Sequence, residues 1–187
     1  MKLPALRVKI DTPAGQIARG RGFYQLEEDE LYLPVEYSEG PGKFFSFLES
    51  DDVILHLDRE GRLIFVEITR PRRHWRSRSN LVVPEEAERA DIYFTDFRSW
   101  FGNPALICDP CRENLLIRFS RGPAAKNYIL AENLIAQVDH SCHLVAIWAR
   151  DFTDDMAGRK ILRWRKSIRE GLKALKSGEL VHYRNTS

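Results

Sequence analysis

The sequence predicts a mainly β protein of the α+β class, with two tandem pseudo-symmetric antiparallel β-meander units and a C-terminal amphipathic helix. Three observations predict this fold: an internal repeat, short apolar runs separated by turn residues, and a helical stripe near the end of the chain. Residues 53–66 and 134–147 share one pattern, an apolar run, an aspartate that opens a turn, polar or small residues and a second apolar run. A repeated unit of this kind indicates paired copies of one sheet.

The first unit is predicted to span residues 1–70. Residues 6–10 alternate apolar and polar side chains, which is typical of a strand, and the turn residues 11–15 follow. Later strands are predicted at residues 31–35, 43–48, 53–57 and 63–68. The last two are joined by a short turn in which Gly61 favours a positive φ, so they predict a hairpin.

A basic linker with a short helix is predicted for residues 71–89, and the second unit for residues 90–152. Pro84 and the acids after it are typical of a helix start, so the helix is placed at residues 84–89. The apolar runs of the second unit follow the order of the first. Phe97, Trp100 and Phe101 have helical spacing and are predicted to lie in the core.

A basic amphipathic helix is predicted within the last segment, residues 153–187. Asp154 or Asp155 is expected to cap a helix over residues 156–176, and Gly178 to end it. One apolar stripe along this helix needs a partner, most simply the sheet. The stripe consists of Ile161, Trp164, Ile168, Leu172 and Leu175.

Composition excludes several protein classes. Hydrophobic residues at 43% and charged residues at 30% are those of an ordinary globular chain rather than a disordered one. The N-terminal residues lack the apolar stretch of a signal peptide, and no apolar run reaches the length that crosses a bilayer. Three cysteines fit a reducing compartment better than a disulfide framework. We therefore expect a cytoplasmic protein without a membrane segment.

Charge is strongly segregated along the chain. Residues 24–68 contain 12 acidic and 3 basic side chains, whereas residues 156–176 contain eight basic side chains and one acid. The Arg70–Arg78 strap between the units carries five arginines and no acid. Such segregation favours either an anionic partner or the pairing of these regions with one another.

The strap supplies one candidate site, for nucleic acid or another partner. Arginines bind phosphates and an aromatic ring stacks on bases, so the strap and the basic helix together suggest a nucleic-acid-binding regulator. The competing interpretation is that the arginines neutralise the acidic first unit. The candidate residues are Arg70, Arg72, Arg73, Trp75 and Arg76.

A second candidate site is a zinc centre. Cys108 and Cys111 form a Cys-x-x-Cys pair, and Cys142 and His143 add two more ligands that suit tetrahedral zinc. We expect the turns that carry the two pairs to be neighbours in a meander. The competing interpretation is partly buried cysteines with surface histidines, because the second pair is unusually compressed.

The motifs of the first unit resemble Domain of Unknown Function 2283, a small prokaryotic family. In that family an acidic turn precedes a Leu-Tyr-Ile strand, and a Val-Ile-Leu-Asp-Tyr-Asp strand precedes Gly-Arg-Leu-Val-Gly-Ile-Glu-Ile. Residues 28–33, 53–58 and 61–68 follow this pattern. The resemblance covers residues 23–68 and, in degraded form, 105–149. It implies a compact β-meander without an established activity, with some members resembling partners of small toxin-like proteins.

No catalytic pattern emerges from the sequence. Its carboxylates lie in turns, and no phosphate-binding glycine loop or nucleophile elbow is present. The sequence therefore favours a non-enzymatic interaction or binding module that contacts a protein partner or a second copy of itself through sheet edges or the helix. A nucleic-acid-binding regulator and a zinc-binding domain are the alternatives.

Overall fold

A computed structural model describes residues 5–40 and 42–170 of the chain. It contains two seven-stranded mixed sheets, a two-stranded sheet and one helix near the end of the described chain. The predicted fold class is confirmed. None of the helices in the described ranges combines the length and apolarity that a membrane crossing requires.

The strands are short, and most follow the apolar runs of the sequence. The first unit contains β1 (Val8–Asp11), β2 (Phe23–Gln25), β3 (Glu30–Pro34), β4 (Ser46–Glu49), β5 (Val53–Leu57) and β6 (Leu63–Ile68). The linker adds β7 (Arg76–Ser77) and β8 (Glu88–Arg89). The second unit contains β9 (Asp91–Phe94), β10 (Ser99–Trp100), β11 (Ala105–Cys108), β12 (Leu115–Arg118), β13 (Lys126–Ala131), β14 (Leu134–Val138) and β15 (Leu144–Ala149). The final elements are β16 (Thr153–Asp155) and helix α1, which begins at residue 159 and is described to residue 170.

The two sheets have the same strand order. The first sheet runs β10-β4-β5-β6-β3-β2-β16. Written from the equivalent edge, the second runs β8-β13-β14-β15-β12-β11-β7. In both, three strands form a meander, and an earlier hairpin adds its second strand beside the last of the three. The repeat read from the sequence is therefore a structural duplication.

The aspartate turns of the two units have the same geometry. The backbone amides of Asp58 and Asp139 each donate to the carbonyl oxygen four residues later, at 3.0 Å. In each turn one side-chain oxygen of the aspartate also accepts the amides two and four residues ahead. Gly61 has φ 88° as predicted, and Cys142 occupies the matching left-handed position with φ 57°. The same backbone path thus persists although the side chains differ.

The units exchange their peripheral strands. β7 follows the first unit but pairs with β11 in the second sheet, and β16 follows the second unit but pairs with β2 in the first. β1 and β9, which open the two units, pair with each other. Each unit therefore completes the sheet of the other.

One apolar core lies between the two sheets. Alternate residues of the strands point into it, as in β5, where Val53, Leu55 and Leu57 are fully buried. A single cluster of buried side chains joins both units, so the predicted boundaries at residues 70 and 90 do not separate two cores. The hydrophobic effect of this shared interior stabilises both sheets together.

The helix predicted at residues 84–89 is not formed. The chain bends at Glu85, and the last two residues of the segment form β8, which pairs in parallel with β13. Pairing with a sheet edge supplies the backbone hydrogen bonds that a one-turn helix would otherwise provide, and so tertiary contacts override the local helix signal.

The predicted burial of the aromatic cluster after β9 is wrong for two of its three members. Phe101 is buried, but Phe97 and Trp100 are 40% and 46% exposed. The segment forms the edge strand β10, which pairs in parallel with β4, instead of a helix turn. Strand geometry sends neighbouring side chains to opposite sides, so the helical spacing carries no meaning here.

The capping role predicted for the Asp154–Asp155 pair is confirmed for Asp155. Its carboxylate accepts the amides of Lys160 at 3.2 Å and Ile161 at 3.0 Å. α1 begins at residue 159 rather than 156, because residues 156–158 form the turn that brings the carboxylate back to these amides. The predicted helix end, including Leu172, Leu175 and Gly178, lies outside the described residues.

Candidate functional site

Helix α1 packs on the outer face of the first sheet. Ile161 is buried against Phe23 and Tyr32, and the Trp164 ring lies 5.2 Å from the ring of Tyr32 and 4.5 Å from that of Phe65. Ile161 and Trp164 of the predicted apolar stripe therefore face the sheet, and α1 covers strands β2, β3 and β6.

An ion pair also holds the helix. An Nη nitrogen of Arg165 donates to Oε2 of Glu28 at 2.8 Å and lies 2.7 Å from Oε1. This pair keeps the pKa of Arg165 above its ordinary value. Burial opposes ionisation of Glu28, but hydrogen bonds from Tyr32 and Arg165 hold its pKa below the ordinary value.

A cleft of about 590 Å³ lies alongside this contact. We call it the first-sheet cleft. One wall is the second half of the described helix, and the floor is formed by β5, the start of β6 and the residues before β4. Its apolar lining includes Val35, Phe44, Ile64, Phe65, Trp164 and Ile168. A concave site of this size suits a compact ligand or a few side chains of a partner.

His56 forms part of the cleft floor but is held by its neighbours. Its Nε2 lies 3.2 Å from a carboxylate oxygen of Glu67, and its ring stacks on Phe65 with centroids 3.7 Å apart. The second ring nitrogen is buried and has no hydrogen-bond partner among the described residues. The imidazole therefore supports the floor and presents its ring, not a reactive nitrogen, to the cleft.

The hydroxyl groups beside the cleft are also engaged. Tyr37 donates to the carbonyl oxygen of Leu63 at 2.9 Å, and Ser167 donates to that of Trp164 at 2.7 Å. Burial raises the pKa of Tyr37 well above its ordinary value, so its hydroxyl stays protonated. The exposed Glu36 and Lys43 contribute one charge of each sign to the lining.

A carboxylate cluster lies under the docked part of the helix. The Tyr32 hydroxyl is 2.7 Å from Glu28 and 2.6 Å from Glu30, although it carries only one proton. Burial, reinforced by Glu67 and Glu28, raises the pKa of Glu30 above its ordinary value. The cluster joins the docked helix to the sheet, because Glu28 contacts both Tyr32 of β3 and Arg165 of α1.

The structure places the arginines of the Arg70–Arg78 strap against acids. Three of the five candidate residues pair with carboxylates, and Arg72 also lies over the ring of Tyr24, at 4.1 Å. The pairs are Arg70 with Asp52, Arg72 with Asp154 and Arg73 with Asp29. Two of these acids belong to the acidic first unit, as the competing interpretation of the strap proposed.

The other two candidate residues of the strap differ in exposure. Trp75 is buried beside Tyr24 and Phe152, and its indole nitrogen donates to the carbonyl oxygen of Arg70 at 2.9 Å. Arg76 is exposed on edge strand β7. A buried indole has no free face for a base, so in this conformation the strap offers charge without stacking.

The predicted zinc centre is not assembled. The turn after Cys108 and the turn before Leu144 lie at opposite ends of the sheet, because β12 pairs antiparallel with β15, aligning Leu115 with Ala149. Cys108 is buried, which raises its pKa, while Cys111 and Cys142 are exposed and His143 contacts Asp139. Throughout residues 5–40 and 42–170, no three His, Cys, Asp or Glu side chains converge as metal ligands.

Sequence reasoning missed the first-sheet cleft. A signal was present in the repeat itself. Strand positions that point to the outer face carry polar or aromatic residues in the first unit, whereas the equivalent positions of the second unit carry mostly apolar or small residues. Strand register gives the matched pairs as Tyr32 and Leu116, His56 and Gln137, Phe65 and Ala146, and Glu67 and Trp148.

Comparison with known proteins gives no relative: no protein-family model matches the chain, and no curated protein is significantly similar to it. The resemblance to Domain of Unknown Function 2283 therefore stays a prediction from its motifs.

Proposed function

We propose that this protein is a non-enzymatic binding module that holds an apolar part of a partner molecule in the first-sheet cleft. The observation that carries the proposal is a cleft of about 590 Å³ with aromatic and aliphatic walls on the outer face of the first sheet. Burial of an apolar group there contributes roughly 25 cal/mol for each Å² removed from water.

The chemistry of the lining supports binding rather than catalysis. Tyr37 and Ser167 donate to backbone carbonyls, and His56 has one nitrogen on Glu67 and the other buried. General acid or base catalysis needs a group within hydrogen-bond reach of the substrate. Among the described residues of the lining, only Glu36 and Lys43 are exposed titratable groups, and they suit orientation of a ligand.

The sheet edges are less suitable for partner binding than the sequence suggested. All four outer positions are taken by strands of two or three residues: β7, β8, β10 and β16. Very short edge strands are a common protection against edge-to-edge pairing. A protein partner or a second copy is therefore proposed to contact the cleft and α1.

Nucleic-acid binding by the strap is the second candidate. Arg76 is exposed, but Arg70, Arg72 and Arg73 are paired with carboxylates. Binding through the strap would have to displace these pairs and would weaken steeply with salt. Filter binding of a labelled oligonucleotide at two salt concentrations tests it, and the absence of salt-sensitive retention would remove this candidate.

Uncharged Nile red provides the test of the cleft itself. We expect saturable fluorescence enhancement with the native chain and loss of most of it in Ser167→Trp, because an indole at this lining position fills the cleft. Lys166→Trp is the matched control, since Lys166 lies outside the lining and its side chain is 77% exposed. Equal enhancement in both variants would contradict the cleft as the binding site.

A further inference from the structure

A segment of the same chain covers the outer face of the second sheet. Residues 79–87, here called the covering segment, connect β7 at one edge of this sheet to β8 at the other. The segment contains no helix or strand. Leu81, Val83 and Ala87 pack on the apolar outer face, which includes Leu116, Ile135 and Trp148.

Three residues of the covering segment, 81–83, alternate in exposure on the sheet. Leu81 and Val83 are half-buried on the sheet, whereas Val82 between them is 74% exposed. Alternate side chains therefore face the sheet, as in a strand laid flat on a surface. The side-chain amide of Asn127 donates to the backbone carbonyl oxygen of Glu86 at 3.2 Å and holds the later part of the segment on the sheet.

The described residues leave part of the width of the first sheet without such a cover. The chain crosses to it through β16 and continues into α1, whose side chains contact β2, β3 and β6. The first-sheet cleft lies beyond these contacts, over β5 and the residues before β4. Phe44 at this end of the cleft is 39% exposed. Within the described ranges, the duplicated fold is thus covered on one side and partly open on the other.

We propose that the first-sheet cleft receives an extended apolar peptide of a partner protein, with alternate side chains seated as Leu81 and Val83 are on the second sheet. This inference rests on the proposed function and names its partner class. Phe44, Ile64 and Ile168 would contact the inserted side chains.

Exposed bases outnumber exposed acids beside the cleft, which favours acidic residues next to the apolar part of the peptide. The bases are Lys43 in the lining with Arg163 and Arg169 on α1, against Glu36 in the lining and Glu170 on α1. The covering segment itself has this composition, since Glu85 and Glu86 follow its apolar residues. Complementary charge increases the association rate and selects among apolar partners.

The covering segment supplies the probe. A fluorescein-labelled peptide of residues 79–88 is added to the full chain, whose second sheet is already covered by its own copy, and anisotropy is measured. We expect saturable binding to the native chain and to Lys166→Trp, and at least tenfold weaker binding to Ser167→Trp. Phe44→Ser, at an exposed position, should also weaken binding and provides a second variant if Ser167→Trp unfolds.

A matched peptide with serine in place of Leu81 and Val83 should bind at least tenfold more weakly. Equal binding of the two peptides would overturn the inference, because the site would not recognise apolar side chains. Full binding to Ser167→Trp would also overturn it, because the peptide would bind outside the cleft. Dimerisation that Ser167→Trp abolishes would assign the cleft to a second copy and would also overturn it. Nile red binding without peptide binding would leave the proposed function standing and remove the peptide.

Discussion

The outer faces of the two sheets differ far more than the sheets themselves. Strand order and turn geometry are shared, yet Tyr32 and Glu67 on the first face correspond to Leu116 and Trp148 on the second. The apolar face is covered by an extended segment of the linker, and the polar and aromatic face by an amphipathic helix beside an open cleft. The same strand framework can therefore carry two outer faces of different chemistry.

The largest expected effect comes from giving the second face the charge of the first. In Trp148→Glu a carboxylate replaces a side chain that is 4% exposed, and it would have no partner in the apolar cluster. An unpaired buried charge should reduce the free energy of unfolding by at least about 3 kcal/mol. Urea denaturation measures the loss.

Glu67→Leu is the matched change on the first face. Its side chain is 21% exposed and contacts His56, so we expect a cost below about 1 kcal/mol. Comparable losses in the two variants would show that the faces are equally intolerant, and the contrast between them would fail.

A smaller effect should distinguish the two aspartate turns. A Cβ on Gly61 would lie 2.3 Å from the carbonyl oxygen of Phe94, and φ there is 88°. Gly61→Ala should therefore lower the free energy of unfolding by about 2 kcal/mol. Cys142→Gly, at the matching position, should change it by less than about 1 kcal/mol, because glycine accepts the same φ.

Gly15→Ala controls for glycine replacement itself, since a Cβ there meets nothing within 4 Å. Thermal unfolding of the three variants measures the difference. If Gly61→Ala were as stable as Gly15→Ala, the close approach of β9 to the first turn would be contradicted.

The smallest effects concern pH at the polar face. Glu30 has a pKa raised above its ordinary value of 4.5, so its contribution to stability is present below that pH and is lost as pH rises through the folded pKa. Glu28 has a lowered pKa, so its contribution is present above the ordinary value and is lost as pH falls through the folded pKa.

Glu30→Gln should therefore become more stable relative to the native chain as pH rises, and Glu28→Gln less stable. Each difference should stay below about 1 kcal/mol, because solvent screens partly exposed groups. Urea midpoints from below pH 4 to pH 8 measure both trends, because the Glu28 contribution is lost below its ordinary pKa. Parallel trends in the two variants would contradict the opposite pKa shifts of Glu28 and Glu30.

Much of the repeated framework could be predicted from sequence, because its signals are local. Asp58 and Asp155 act through backbone groups within six residues of themselves, and the stripe of α1 is periodic along one element. The β3–β6 pairing and the strand exchanges could not be predicted, because they depend on the free energy of contacts between distant segments.

The candidate sites were harder to predict for the same reason. Cys108 and Cys142 have ligand chemistry, but the strand order separates their turns. The charge of Arg73 is evident in the sequence, whereas its pairing with Asp29 depends on how the strap crosses the first sheet. The first-sheet cleft arises where α1 meets a face that the covering segment does not reach, and no single motif encodes such a boundary.

The exchange of β7 and β16 makes the two units depend on each other. A unit taken alone would lack the strand that finishes its sheet, and only a second unit could supply it. In a symmetric pair of identical chains, every substitution would appear on both outer faces. In this single polypeptide the two faces carry different residues, so one is covered by a segment of the chain and the other bears a cleft.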